Sequence, residues 1–247
     1  MNPVIDLLKQ HRSIRRFKNQ ALEEGVLEQI LVAGQSASTS SFIQAVSVVR
    51  VTKLEIKEKF VSLSGGQNYI ASAAEFLVFC ADLNRNKLRA SQIDNSCVDF
   101  SWTEPFIAAS VDVALFAQNA VVAAESLGLG CCYIGGIRNK PEQVVELLNL
   151  PELVFPIFGL CIGAPDQDPL PKPRLPLSVI LCENEYDSSN KKMALIDEYD
   201  THVKQYYLIR SKGKLEHTWS EQILTQSASQ TRPFMKNFLN KQGFMVR

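Results

Sequence analysis

Residues 105–127, PFIAASVDVALFAQNAVVAAESL, carry apolar or small side chains on nearly every face of a helix and run into Gly128, a residue suited to the left-handed turn that ends helices. Such a helix has to be covered on most of its circumference. A membrane span would satisfy that demand, but Asp112, Gln118, Asn119 and Glu125 are spread along the stretch, and few such groups are tolerated in lipid. The stretch is therefore read as the buried central helix of a globular domain, with no membrane as partner. One shell of elements in a chain of 247 residues does not easily cover it, so a homodimer is expected.

Around this helix the sequence alternates between helical and strand periodicity without a regular order. Helices are expected over residues 2–10, 21–36, 141–148, 191–210, 219–226 and 233–242. The β-branched or aromatic runs at 47–52, 75–81, 131–134, 155–162 and 178–182 are expected to be strands. Residues 84–101 read as loop and short helix. The segment GAPDQDPLPKPRLPL holds five of the eleven prolines and is expected to be extended. With helix exceeding strand and no internal repeat or Gly/Ser linker, the fold class is α+β in a single domain over 1–247.

Lys plus Arg and Asp plus Glu each number 26, so net charge offers no nucleic-acid or anionic-membrane partner. The N-terminal apolar stretch is interrupted by Asp6 and Lys9, which does not suit a secretory signal, and a cytoplasmic protein is expected. Cys80, Cys97, Cys131, Cys132, Cys161 and Cys182 form no C-x-x-C pair, and all but Cys97 sit in or beside apolar runs, so inert buried thiols are expected. His11, His202 and His217 lack zinc-site spacing, so no metal is expected.

The segment His11-Arg12-Ser13-Ile14-Arg15-Arg16 places four potentially cationic side chains and a hydroxyl within six residues. Guanidinium forks match phosphate oxygens, which points to a discrete anion; the same composition also suits a solvated basic turn. Lys172-Pro173-Arg174 offers a second cationic pair, its extended backbone set by proline. Two such sites could close on one phosphate-bearing ligand or be separate surface patches. In Tyr133-Ile134-Gly135-Gly136 the missing β-carbons would let a flat ligand lie on the backbone, or simply mark a turn. The loop Thr39-Ser40-Ser41-Phe42 and the turn Gly65-Gly66-Gln67-Asn68-Tyr69 offer hydroxyl and amide groups, in ordinary loop composition. Paired carboxylates, a Ser-His-Asp arrangement and a phosphate-binding G-x-x-x-x-G-K are all missing, which argues against hydrolysis and phosphoryl transfer.

HRSIR at 11–15, ASTSSF at 37–42, GGQ at 65–67, AAESLGLG at 123–130, YIGGIRN at 133–139, KPRLP at 172–176 and TRPF at 231–234 occur in the order found in the nitroreductase family of flavoproteins. The chain resembles in particular its NADPH-preferring, oxygen-insensitive nitroreductase and flavin reductase group, across almost the whole length. The resemblance implies a three-layer fold with a central mixed sheet, a C-terminal helical extension, and a homodimer with swapped terminal segments that holds two FMN molecules at its interface. It implies that Arg12, Arg15, Lys172 and Arg174 hold the phosphate and the flavin edge, with His11 and Ser13 completing that wall. Gln67 and residues Thr39, Ser40 and Ser41 would approach from the partner, Tyr69 would also contact the cofactor, the backbone at Tyr133, Ile134, Gly135 and Gly136 would lie beside the ring, and Phe42, Arg210 and Arg232 would border substrate and coenzyme.

The implied chemistry is hydride transfer from NADPH, or NADH, through FMN to nitroaromatics, quinones or free flavin in a ping-pong cycle, with no side-chain nucleophile. Two other roles share these residues: a reductase whose product is released reduced flavin, and a sensor or store that binds FMN without turnover. In the coenzyme loop Arg210 matches the family's cationic pattern, whereas Leu215 and Glu216 depart from it. Glu216 would repel a 2′-phosphate, and Lys212 and Lys214 would compensate, so NADPH preference is expected.

Overall fold

A computed structural model describes residues 2–94, 98–228 and 231–247; Cys97 lies outside them. Backbone contacts divide the chain into two units, Met1–Asp168 with Arg232–Arg247, and Pro169–Thr231. The first contains α1 (Pro3–Lys9), α2 (Val26–Gln35), β1 (Val46–Arg50), α3 (Leu54–Leu63), α4 (Tyr69–Ser72), β2 (Glu75–Asp82), α5 (Asn84–Ile93), α6 (Thr103–Ser126), β3 (Gly130–Ile134), α7 (Pro141–Leu148) and β4 (Val154–Gly163). The second contains α8 (Leu177–Ile180), α9 (Asn190–Ser211) and α10 (Trp219–Ser227), and α11 (Met235–Lys241) belongs to the first again.

The sheet runs β1-β2-β4-β3, and each ladder is antiparallel. This corrects the expected mixed sheet. β2 and β3 do point the same way, as a helical crossover through α6 suggests, but β4 slots between them and pairs antiparallel with both. Among the described residues the one parallel pairing is an isolated bridge between Ser13 and Cys131.

All eight residues of β2 are buried, and they divide by the two-residue period of a strand. Leu77, Phe79 and Ala81 join the core under α6, with Ala109, Val113, Ala117, Ala120, Val121 and Ala124 of that helix. Phe76, Val78 and Cys80 join the opposite core, with Phe60 and Leu63 of α3 and Val144 of α7. Each large side chain so covered stabilises the fold by roughly 1.5–3 kcal/mol. The result is helix, sheet and helix in three layers. From the C-terminal segment, Phe238, Leu239 and Phe244 enter the α6 core of the same chain, and Gln242 Nε2 donates to the Pro151 carbonyl at 2.7 Å.

α6 is long and apolar enough to cross a membrane by length and composition, yet one side of it is packed on the sheet. Its outer side leaves Ile107, Val111 and Leu115 exposed at helical spacing. Two further expectations need correction. α2 starts at Val26 instead of residue 21, because Gly25 is left-handed (φ 78°) and cannot continue a right-handed helix. Residues 178–182 form no strand: Leu177–Ile180 is one helical turn closed by Leu181 N–H to the Leu177 carbonyl at 2.8 Å. An apolar run becomes a strand only where a neighbour takes its backbone groups, and no described strand pairs with this one.

In the second unit, Tyr199, Val203 and Tyr206 make one buried face of α9. α10 opens with a capping box, Thr218 Oγ1 accepting from Glu221 N–H at 3.1 Å while Glu221 accepts from Thr218 N–H at 2.9 Å.

Candidate functional site

The basic segment is stitched to β3. Ile14 N–H donates to the Cys131 carbonyl at 2.9 Å, and Ile14 lies over Gly130, where any β-carbon would come within 2.6 Å of its side chain. Three of the segment's four cationic groups are engaged nearby. His11 Nδ1 sits 2.7 Å from Glu125 Oε1, Arg12 donates to Asp168 Oδ1 at 2.7 Å and the Gln10 carbonyl at 2.9 Å, and Arg16 donates to the Asp166 carbonyl at 2.8 Å. Arg15 differs. It is exposed, its charge acts on the nearby Tyr69 phenol, and among the described residues no carboxylate lies within ion-pair distance of it.

Tyr69 links Arg15 to the Gly-Gly turn. Its hydroxyl donates to Gln67 Oε1, and Gln67 Nε2 donates to the Ser64 carbonyl at 2.8 Å, so the amide cannot rotate freely. Burial pushes the Tyr69 phenol up to about 12, with the nearby Cys132 adding to the rise and Arg15 opposing it. The phenol is thus a neutral donor at any physiological pH. Gln67 also lies against Gly136: a β-carbon there would meet Gln67 Nε2 at 2.5 Å and the Ser64 carbonyl oxygen at 2.6 Å. Gln67, expected from the partner, therefore stands beside Gly136 of its own chain. The Ser64 hydroxyl in this cluster is buried without a hydrogen-bond partner.

At the end of β3, Tyr133 is half-buried and Ile134 fully buried, while residues Gly135–Asn139 coil into a 3₁₀ turn. Arg232 closes over this turn, donating to Asn139 Oδ1 at 2.9 and 3.1 Å and to the Gly135 carbonyl at 3.3 Å. Arg138 reaches the carbonyl of Ile157, the extra residue of the bulge in β4. Burial lowers the Arg138 pKa, and the neighbouring Arg232 charge lowers it further. The TRPF and YIGGIRN segments thus meet.

The loop at 39–42 is held elsewhere. Thr39 Oγ1 donates to Asp112 Oδ2 at 2.5 Å, Ser40 N–H to Asp112 Oδ1 at 2.9 Å, and Ala45 N–H to Oδ2 at 3.2 Å. Ser41 and Phe42 have positive φ (47° and 58°), and the Phe42 ring is 79% exposed. Arg85 fixes the loop's far end through the Gln44 and Val46 carbonyls at 2.9 and 3.0 Å. No hydrogen bond among the described residues joins this loop to the Arg15 cluster.

In the second unit Lys172 Nζ lies 5.2 Å from the centre of the Tyr207 ring, Tyr199 donates to the Pro173 carbonyl at 3.0 Å, and Arg174 is exposed. Arg210 lies 6.0 Å from the Tyr206 ring centre. Glu216 pairs with Lys204 at 2.9 Å, so its charge is offset within its own unit. Asp112, Arg85, Ser64, Asn139 and Lys204 escaped the sequence reading of the site. Asp112 alone had a signal, since a carboxylate in an apolar helix needs buried donors. No group of three or more His, Cys, Asp or Glu side chains suited to a metal occurs among the described residues.

A fold of this topology with this arrangement of motifs defines a flavoprotein reductase class, and the comparisons identify it: the nitroreductase family model matches residues 8–164, that of the family's C-terminal domain matches residues 172–247, and the chain belongs to the nitroreductase family. It is 45% identical to the oxygen-insensitive NADPH nitroreductase of Salmonella typhimurium, with all of both chains covered. Among solved structures it is similar to nitroreductase A of Vibrio parahaemolyticus (42% identity, TM-score 0.92) and to the NADPH:FMN oxidoreductase of Vibrio harveyi complexed with NAD+ (41% identity, TM-score 0.90), each with all of both chains covered.

Proposed function

We propose that this chain is an FMN-dependent NAD(P)H oxidoreductase that reduces nitroaromatics, quinones or free flavin by two electrons. The observation that carries this reading is Arg15, an exposed guanidinium lacking a carboxylate, near Tyr69, whose hydroxyl holds Gln67 beside Gly136 and the unpartnered Ser64 hydroxyl. This donor set fits FMN: a cation for the phosphate or the ring edge, and an immobilised amide and a spare hydroxyl for polar oxygens. Bound there, FMN supplies hydride transfer between nicotinamide and acceptor.

The chain's own groups bind and orient. Arg12 and Arg15 hold the anion, with His11 and Ser13 beside them, and Lys172 and Arg174 serve the same ligand. Tyr69 keeps Gln67 aimed, Tyr133 to Gly136 provide the backbone wall, and Thr39, Ser40 and Ser41 add hydroxyls. Phe42, Arg210 and Arg232 contact acceptor or coenzyme, and residues 1–247 act as one flavin-binding domain. The enzyme works in the cytoplasm as a homodimer. Supporting the dimer are the exposed apolar residues Ile107, Val111 and Leu115 on α6, Val4, Ile5 and Leu8 on α1, and Leu177, Ile180 and Leu181.

Turnover tests the reading. With NADPH and a nitrofuran, a quinone or FMN as acceptor, kcat/KM is expected to exceed that with NADH. Absence of turnover with every acceptor overturns the proposal, and a rate with free FMN far above the others assigns the chain to flavin supply.

A further inference from the structure

After α8 the second unit turns so that Cys182 faces the first turn of α9. Lys192 Nζ lies 2.8 Å from Cys182 Sγ and 3.1 Å from the Val179 carbonyl oxygen. Lys192 is only 8% exposed, and among the described residues no carboxylate is within salt-bridge distance of it. Asp187 acts on it at longer range, and Tyr186 also faces it. A covered ammonium without a counter-charge is unfavourable. Of the atoms bonded to Nζ, Sγ is the one that can carry a full negative charge.

Cys182 is also set apart from the other described cysteines. Cys80, Cys131, Cys132 and Cys161 are buried, and burial raises their pKa values, so they are inert; Cys182 is partly exposed, which corrects the expectation of a buried thiol there. The hydrogen bond from Lys192, with the Asp187 backbone adding to it, draws the Cys182 pKa down, while partial burial and the Asp187 carboxylate oppose.

We propose that Cys182 and Lys192 form a site oxidised by hydrogen peroxide, with the sulfur as nucleophile and the lysine as proton donor. The thiolate attacks one peroxide oxygen, the S–O bond forms as the O–O bond breaks, sulfur loses two electrons to become sulfenic acid, and the peroxide is reduced. The departing hydroxide takes a proton from Lys192 Nζ and leaves as water. Reactive thiols need thiolate character and access together, and this position combines them.

The test treats the purified full-length protein with equimolar hydrogen peroxide and dimedone, followed by peptide mass spectrometry, with Cys182→Ser to assign the labelled peptide. The expected result is an adduct on Cys182 and none on Cys80, Cys131, Cys132 or Cys161. Lys192→Met should slow labelling at pH 7 about tenfold, and Lys192→Arg should retain most of it. The pH profile of iodoacetamide reaction at Cys182 requires no lysine variant; a midpoint below the ordinary thiol value of about 8.5 is expected. No adduct at Cys182, equal labelling in Lys192→Met, or a midpoint at or above the ordinary value each overturns the proposal.

Discussion

Ile14 occupies the space that a side chain on residue 130 would need, with a Gly130 β-carbon falling 2.6 Å from Ile14 Cγ1. The basic segment and the start of β3 are thus one packing unit, held by the hydrogen bond from Ile14 N–H to the Cys131 carbonyl. Gly130→Ala should displace Ile14 and Arg15 together, destabilising the protein by about 1–3 kcal/mol. Thermal unfolding and flavin content of the purified variant check this; unchanged values in both would show that the contact is not tight.

Asp112 receives three hydrogen bonds from the 39–45 segment while buried in α6. Asp112→Asn keeps the shape but turns one acceptor into a donor, leaving a backbone N–H unpaired at a cost of about 1–3 kcal/mol. Faster amide exchange at Ser40 and Ala45 is expected. Exchange identical to the parent would mean that the loop is held by other contacts.

The outer stripe of α6 should be an interface. Leu115→Glu places a charge among Ile107 and Val111, and desolvating an unpaired carboxylate opposes association. Sedimentation should show a dimer for the parent and a shift to monomer for the variant; a parent that is already monomeric contradicts the assignment.

Coenzyme choice should depend on Lys204. Its pair with Glu216 is roughly half-exposed, a class of contact worth about 0–1 kcal/mol, so Lys204→Ala should lower the NADPH-to-NADH ratio of kcat/KM by roughly two- to fivefold. Glu216→Gln should raise it. An unchanged ratio in both variants, or a rise for Lys204→Ala with a fall for Glu216→Gln, would place this loop away from the 2′-phosphate.

Much of this architecture could be read from residue patterns. α7 and the four strands follow periodicity directly, because each has its neighbour within the same unit. Residues 178–182 mislead because strand character is a property of pairing, and the apolar pattern says nothing of whether a partner exists. The site was legible as segments only. That Arg15, Gln67 and Gly136 converge depends on Tyr69 and on close backbone approaches, which no spacing in the sequence encodes. Asp112 was visible as an interruption in an apolar helix, but the three groups it binds lie 67 or more positions away.

Arg15 as a flavin anchor is tested most directly by the visible spectrum under argon. The parent protein should purify with an oxidised flavin band that bleaches on adding NADPH. Arg15→Ala, lacking a charge-assisted contact worth roughly 1.5–3 kcal/mol, should bind added FMN about tenfold to a hundredfold more weakly. A colourless parent that takes up no FMN, or an Arg15→Ala protein with undiminished FMN affinity, would contradict the account.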